Sequence, residues 1–198
     1  MSHKTFTIET NRRLRTVFLT GDIFSSAGIE SFQNEVTLLL FSDLYTNKPM
    51  HKPITIVVCN CPGGSLDNMF CFEAILRYCK QRARKLRFNV HCIGSVNSSA
   101  AIFVCSDVFS ESTADRNATF LVHDLTTTLD AEKNRRQLLS YVVPQLERGE
   151  DAAIGYYLRK SQSTEPERFR ALVEAGNMRL PLTAGEFHAL GLVDRVLD

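Results

Sequence analysis

Three short stretches of the chain hold residue types suited to nucleophilic chemistry. Gly94-Ser95-Val96-Asn97-Ser98-Ser99-Ala100-Ala101 sets hydroxyls among small residues, between an apolar run and a helical pattern. A serine at such a junction lies near the positive end of a helix dipole, which favours negative charge developing on a reacting carbonyl oxygen. Serine is also an ordinary helix N-cap, and spacing alone leaves Ser95, Ser98 and Ser99 open. His123 ends the run Phe120-Leu121-Val122-His123 and precedes Asp124, so a hydroxyl, an imidazole and a carboxyl group are all available. Adjacent residues of a strand face opposite sides, so Asp124 does not orient its neighbour's ring if the strand continues. In Pro62-Gly63-Gly64, two glycines allow torsions other residues avoid and let a substrate approach peptide N–H groups. Taken singly, each stretch also has a plain structural use: a cap, a strand-end histidine, a tight turn.

The elements that must position these residues follow from periodicity. Thr16-Val17-Phe18-Leu19-Thr20 and Ile54-Thr55-Ile56-Val57-Val58-Cys59 are short β-branched runs that end at turn formers, which predicts two buried strands. Between them Ile29, Phe32, Val36, Leu39, Leu40 and Leu44 form the stripe of an amphipathic helix, so the two strands should be parallel. Ser65 caps a second expected helix carrying Leu66, Met69, Phe70, Ile75, Leu76 and Cys79. A strand from Phe88 to Ile93, a helix from about Ser99 to Val108 and a strand over 120–123 continue the alternation, which is α/β architecture. Beyond it, residues 130–160 predict one long charged helix broken near Pro144, then a helix from about Pro166 to Glu174 and a last one opened by Thr183-Ala184-Gly185-Glu186.

With 198 residues, 44% of them hydrophobic and 23% charged, the chain is sized for one domain spanning 1–198. A formal net charge of +1 gives no general pull toward nucleic acid or membrane. No apolar stretch is long enough for a membrane span and no secretory signal is visible at Met1-Ser2-His3-Lys4, so a cytoplasmic protein is expected. Cys59, Cys61, Cys71, Cys79, Cys92 and Cys105 lack CxxC pairing and read as reduced, mostly buried residues rather than metal ligands. The basic run Arg77, Lys80, Arg82, Arg84, Lys85, Arg87 reads as the solvated end of a helix.

In this order, the motifs resemble the ClpP family, the proteolytic subunit of ATP-dependent Clp proteases in the ClpP/crotonase superfamily, from about Arg15 to Asp194. Val17–Gly21 is similar to its first core strand, Asn60-Cys61-Pro62-Gly63-Gly64 to its oxyanion turn, and Ile93-Gly94 through Ser98 to its nucleophile segment. Val122-His123 is similar to its histidine strand, and Leu182-Thr183-Ala184 with Gly191-Leu192-Val193-Asp194 to its C-terminal helix and last strand. The resemblance implies a β-β-α spiral with a protruding strand-helix handle at about 124–160. Ser98 becomes the nucleophile, His123 its general base, and the N–H groups of Gly64 and Ser99 the oxyanion hole. It implies a serine endopeptidase that needs no metal or organic cofactor and acts on peptides or unfolded proteins. The implied assembly is a homo-oligomer of stacked heptameric rings fed by an AAA+ unfoldase.

The chain departs from that pattern in places. Where the family carries its third catalytic residue, an aspartate, an ungapped alignment puts Arg179. The nearest acceptors are Asn177 and Glu174, of which Asn177 is the expected third member, a neutral side chain that can still fix the imidazole tautomer. After His123 the chain has Asp124-Leu125-Thr126-Thr127-Thr128 instead of Gln-Pro and a glycine-rich strand, although threonines still favour an extended peptide-docking strand. The stretch before Val17 is shorter than the family's pore-lining segment, which bears on docking of the ATPase. The alternative reading is a catalytically weak or inactive ring subunit that scaffolds or regulates an active paralogue. An acyl-CoA enzyme of the crotonase type is disfavoured, because such enzymes need neither Ser98 nor His123.

Overall fold

Runs of β-branched residues too short for helices and bounded by turn formers become strands, and the chain follows this rule at Thr16–Thr20 and Ile54–Cys61. The computed structural model describes residues 6–45, 52–123, 143–177 and 181–198. In chain order these residues form β1 (Thr7–Asn11), β2 (Thr16–Thr20), α1 (Ser26–Tyr45), β3 (Ile54–Cys61), α2 (Leu66–Arg82), β4 (Phe88–Asn97), α3 (Ser99–Val104), β5 (Phe109–Asp115), β6 (Thr119–Leu121), α4 (Val143–Ser161), α5 (Pro166–Asn177), β7 (Leu182–Thr183), α6 (Ala184–Ala189) and β8 (Arg195–Leu197).

The fold is α/β with one mixed sheet in the order β1-β2-β3-β4-β5-β8, extended by β6 on β4 and β7 on β6. The pairs β2–β3, β3–β4, β4–β5, β4–β6 and β5–β8 are parallel, as strands joined through helices must be. The strands expected from the alternation of elements are thus parallel, while β1–β2 and β6–β7, which bring in two strands outside that alternation, are antiparallel and make the sheet mixed. Strand β4 changes neighbours along its length: Phe88–Cys92 pairs with β5, and Ser95–Asn97 pairs with β6. That change delivers the end of β4 and the end of β6 to the same place.

In register across β2, β3, β4 and β5, Leu19, Val58, Cys92 and Ala114 are fully buried on one face. Helices α1 and α2 cover the core with Phe32, Val36 and Leu39 from the first and Met69, Phe72 and Leu76 from the second. The Phe72 ring stacks on Phe32 at 4.4 Å and meets Phe24 edge-on at 5.0 Å, and Phe24 meets Phe103 of α3 at 5.6 Å. These aromatic contacts join α1, α2 and α3 through the loop that carries Phe24.

Several boundaries differ from expectation. Helix α3 ends at Val104, and the chain turns into β5, a strand whose polar sequence FSESTAD hides it from hydrophobic pattern. Ser112 and Thr113 are buried there because they have partners: Ser112 N and Oγ donate to Asp194 at 2.6 and 3.0 Å, and Thr113 Oγ1 meets His91 Nδ1 at 2.9 Å. Strand β6 stops at Leu121, leaving His123 two residues past its end. The described helix at the handle position runs Val143–Ser161 and contains both Pro144 and Gly149. Residues 124–142 of the expected handle lie outside the described residues. Among the described residues, no helix is long and apolar enough to cross a membrane.

Candidate active site

Ser98 is the single residue between β4 and α3, and its backbone takes φ 56° and ψ −130°. A non-glycine residue at positive φ is strained by roughly 1–3 kcal/mol and persists only where its surroundings hold it. Here Ser98 N donates to Leu121 O at 2.7 Å, and Ser98 O accepts from Ala101 N at 2.9 Å and Ile102 N at 3.3 Å. A sharp strand-to-helix turn of this kind is how nucleophilic serines are lifted clear of a sheet. Ser98 is half-buried.

The other two serines of the segment have different surroundings. Ser95 lies within β4, opposite Thr119 of β6, and its N–H donates to Asn60 Oδ1 at 3.1 Å. Ser99 is 1% exposed and its Oγ donates to Gly64 O at 3.1 Å. Because Ser99 opens α3, its backbone N–H has no partner within the helix. Helix α3 has only six residues, so these local N–H groups, rather than a long helix dipole, are what the site can offer to an anion.

The glycine turn is seated on this serine. Gly63 has φ +101°, and a β-carbon on it would lie 2.7 Å from Ser98 Cβ, 2.8 Å from Asn97 O and 3.2 Å from Ser99 N. Gly64 has φ +147°, and a β-carbon there would lie 2.9 Å from both Phe24 and Asp22. Ser65 then caps α2 by accepting from Asn68 N at 3.4 Å, while Ser65 N and Asn68 Nδ2 donate to Phe24 O at 3.2 and 3.1 Å. The bond from Ser99 Oγ to Gly64 O thus joins the two segments whose N–H groups were expected to form an oxyanion hole.

His123 is half-buried. The β4–β6 register pairs Asn97 with Leu121, and Ser98 N continues that ladder onto Leu121 O. His123 therefore leaves the sheet beside the strand that presents Ser98. Of the expected third members, Asn177 is the last residue of α5, with its side chain outside the described residues, and Glu174 is exposed on the same helix. Arg179 and Asp124 also lie outside the described residues. Ser98, Ser99, Gly63 and Gly64 are gathered in one place, with the strand that leads to His123 alongside.

Two contributors escaped the sequence reading. Between Cys59 and Cys61 the β3–β4 register slips, because Asn60 on β3 faces both Gly94 and Ser95 on β4. Asn60 takes φ 47°, and Gly94, at φ 65°, leaves room for its side chain: a β-carbon on Gly94 would sit 2.1 Å from Asn60 Oδ1. This bulge re-aims both strands just before the glycine turn and the serine turn. Cys61, inside the turn, is pushed up to about 11 by burial, partly offset by backbone hydrogen bonds from Gly63 and Ile23, so it stays a neutral thiol at neutral pH.

All six cysteines are free thiols; Cys61, Cys92 and Cys105 are buried and Cys71 is exposed. Among the described residues, no group of three or more His, Cys, Asp or Glu side chains is placed to hold a metal ion. The basic run is exposed except at half-buried Lys80, as expected of a solvated helix end; Arg77 pairs with Glu73 and Asp107, Lys80 Nζ donates to Val108 O at 2.9 Å, and Arg82 lies over the Tyr78 ring at 5.2 Å. No protein-family model matches the chain, and no curated protein matches it.

Proposed function

We propose that the chain is a ClpP-type serine endopeptidase, with Ser98 as nucleophile, His123 as general base and the N–H groups of Gly64 and Ser99 as oxyanion hole. The observation that carries this reading is the strained Ser98 turn, bonded through its own N–H to the strand that leads to His123 and packed against Gly63. His123 takes the Ser98 hydroxyl proton as Oγ attacks a peptide carbonyl, and the two N–H groups stabilise the tetrahedral oxyanion. Collapse breaks the C–N bond, His123 returns the proton to the leaving amine, and water then releases the acyl-enzyme by the same route. The sheet with helices on it is the head of a β-β-α spiral in this reading, and α4 is the base of its handle. Stacked heptameric rings enclosing the sites, fed by an AAA+ unfoldase, would supply the selectivity that such short motifs lack.

The test is modification by a fluorophosphonate with the adduct located by mass spectrometry. Labelling at Ser98 is expected, with loss in Ser98→Ala and in His123→Ala. No adduct on the assembled protein overturns the peptidase reading. That result would favour the second reading, a scaffold or regulatory ring subunit, for which Arg179 at the aspartate's aligned position is the specific observation.

A further inference from the structure

The two helices that carry the halves of the candidate site are joined a second time, far from it. Glu73, midway along α2, is 4% exposed. Its Oε1 accepts from Ser106 Oγ at 2.9 Å and from Arg77 Nε at 2.8 Å, and its Oε2 accepts from the Tyr156 hydroxyl of α4. Ser106 lies just past the end of α3, and its Oγ accepts in turn from Val108 N at 3.2 Å. Arg77 also pairs with Asp107, and Lys80 Nζ donates to Val108 O at 2.9 Å. Three successive residues after α3 are therefore bonded to one face of α2. Burial, together with the Glu73 carboxyl, raises the Tyr156 hydroxyl above its ordinary value, so it remains a proton donor at neutral pH.

We propose that Glu73 is a positioning residue: by bonding Ser106 behind α3 and Tyr156 on α4, it fixes α3 against α2 and thereby sets where Ser98 and Ser99 stand relative to Gly64. This rests on the peptidase reading. Helix α2 begins just after the glycine turn and α3 just after Ser98, so the spacing of the two oxyanion donors follows the spacing of two helix starts. The bond from Ser99 Oγ to Gly64 O ties those starts together, and the Glu73 cluster ties the middle of α2 to the chain just past α3. With both ends held, α3 cannot pivot about the Ser99 bond. Tyr156 makes α4 the third member, so the seating of the handle's base is felt at the nucleophile.

The experiment compares wild type with Glu73→Gln and Tyr156→Phe in the full chain, the second variant removing a single hydroxyl from the same cluster. Three quantities are read: the second-order rate of Ser98 modification by a fluorophosphonate, kcat and KM for an unstructured peptide, and the thermal midpoint. A donor displaced by about 1 Å costs on the order of 10²-fold in rate, so kcat and the modification rate should fall about 10- to 100-fold in Glu73→Gln and several-fold in Tyr156→Phe, with KM within about twofold. Lower thermal midpoints with kcat and modification rate kept in the folded fraction would overturn the proposal and make the cluster a stability device alone. Absence of Ser98 modification in wild type would instead overturn the peptidase reading beneath it.

Discussion

A methyl group on Gly63 would lie 2.7 Å from the Ser98 β-carbon and 2.8 Å from the Asn97 carbonyl, at a backbone φ of +101°. Both neighbours belong to the serine turn, so Gly63→Ala must push that turn away or distort its own backbone. We expect Gly63→Ala to lower stability by about 1–3 kcal/mol and peptide turnover by about 10²-fold, measured by urea unfolding and by kcat on a short peptide. Gly185→Ala is the control, since its added carbon would meet only Thr183 Oγ1 at 4.0 Å. Unchanged turnover in Gly63→Ala would contradict the close seating of the two turns. At this scale the serine segment, His123 and the glycine pair were legible as candidates because residue type and local order carry them, whereas Ser98 was singled out from Ser95 and Ser99 by the family resemblance alone. Asn60 and Glu73 were not: Asn60 bonds Ser95, 35 residues on, and Glu73 bonds Ser106, 33 residues on, and no local pattern encodes either pairing.

Among the elements, β5 shows most directly how distant chain decides local structure. Its Ser112 and Thr113 are buried, and Asp194, just before β8, accepts from both Ser112 N and Ser112 Oγ while Lys160 Nζ of α4 donates to it at 2.7 Å. Burial pushes the Asp194 carboxyl up, but Lys160 and Ser112 together outweigh that and hold it below its ordinary value. A carboxyl group with a lowered folded pKa stabilises the fold above its unfolded value of about 3.9, and that contribution is lost as pH falls through the lower folded value. Asp194→Asn should therefore be less stable than wild type at neutral pH, with the difference closing in acid, as read from urea midpoints at a series of pH values. A difference that does not change with pH would show that the charge of Asp194 is immaterial. The helices were more legible than this strand, since Ser65 and the Thr183/Glu186 capping box announce α2 and α6 within four residues of chain.

For the molecule as a whole, the candidate site stands on the aromatic cluster beneath it. Phe72 stacks on Phe32 and meets Phe24, and Phe24 lies against Gly64, so core and glycine turn share one wall. Phe72→Ala should cost about 3–5 kcal/mol in urea unfolding; a cost below about 1 kcal/mol would mean that the cluster repacks freely. The proposed ring is tested by light scattering, where a mass many times that of the 22.3 kDa chain is expected and a stable monomer contradicts the assembly.

The sequence by itself determined the α/β alternation, the two parallel core strands at Thr16–Thr20 and Ile54–Cys59, the second of which continues to Cys61, the capped helices, and the segments that hold Ser98, His123 and Gly64, because each is written in residue types within a few positions of one another. Only the tertiary structure decided which serine stands at the strained turn, where β4 exchanges β5 for β6, and that polar β5 is a buried strand. Those outcomes depend on hydrogen bonds and close approaches between residues far apart in the chain: Ser98 to Leu121, Ser112 to Asp194, Gly63 against Ser98. A linear pattern records what each residue prefers, and the fold alone supplies the partner that lets a buried polar group or a strained backbone persist.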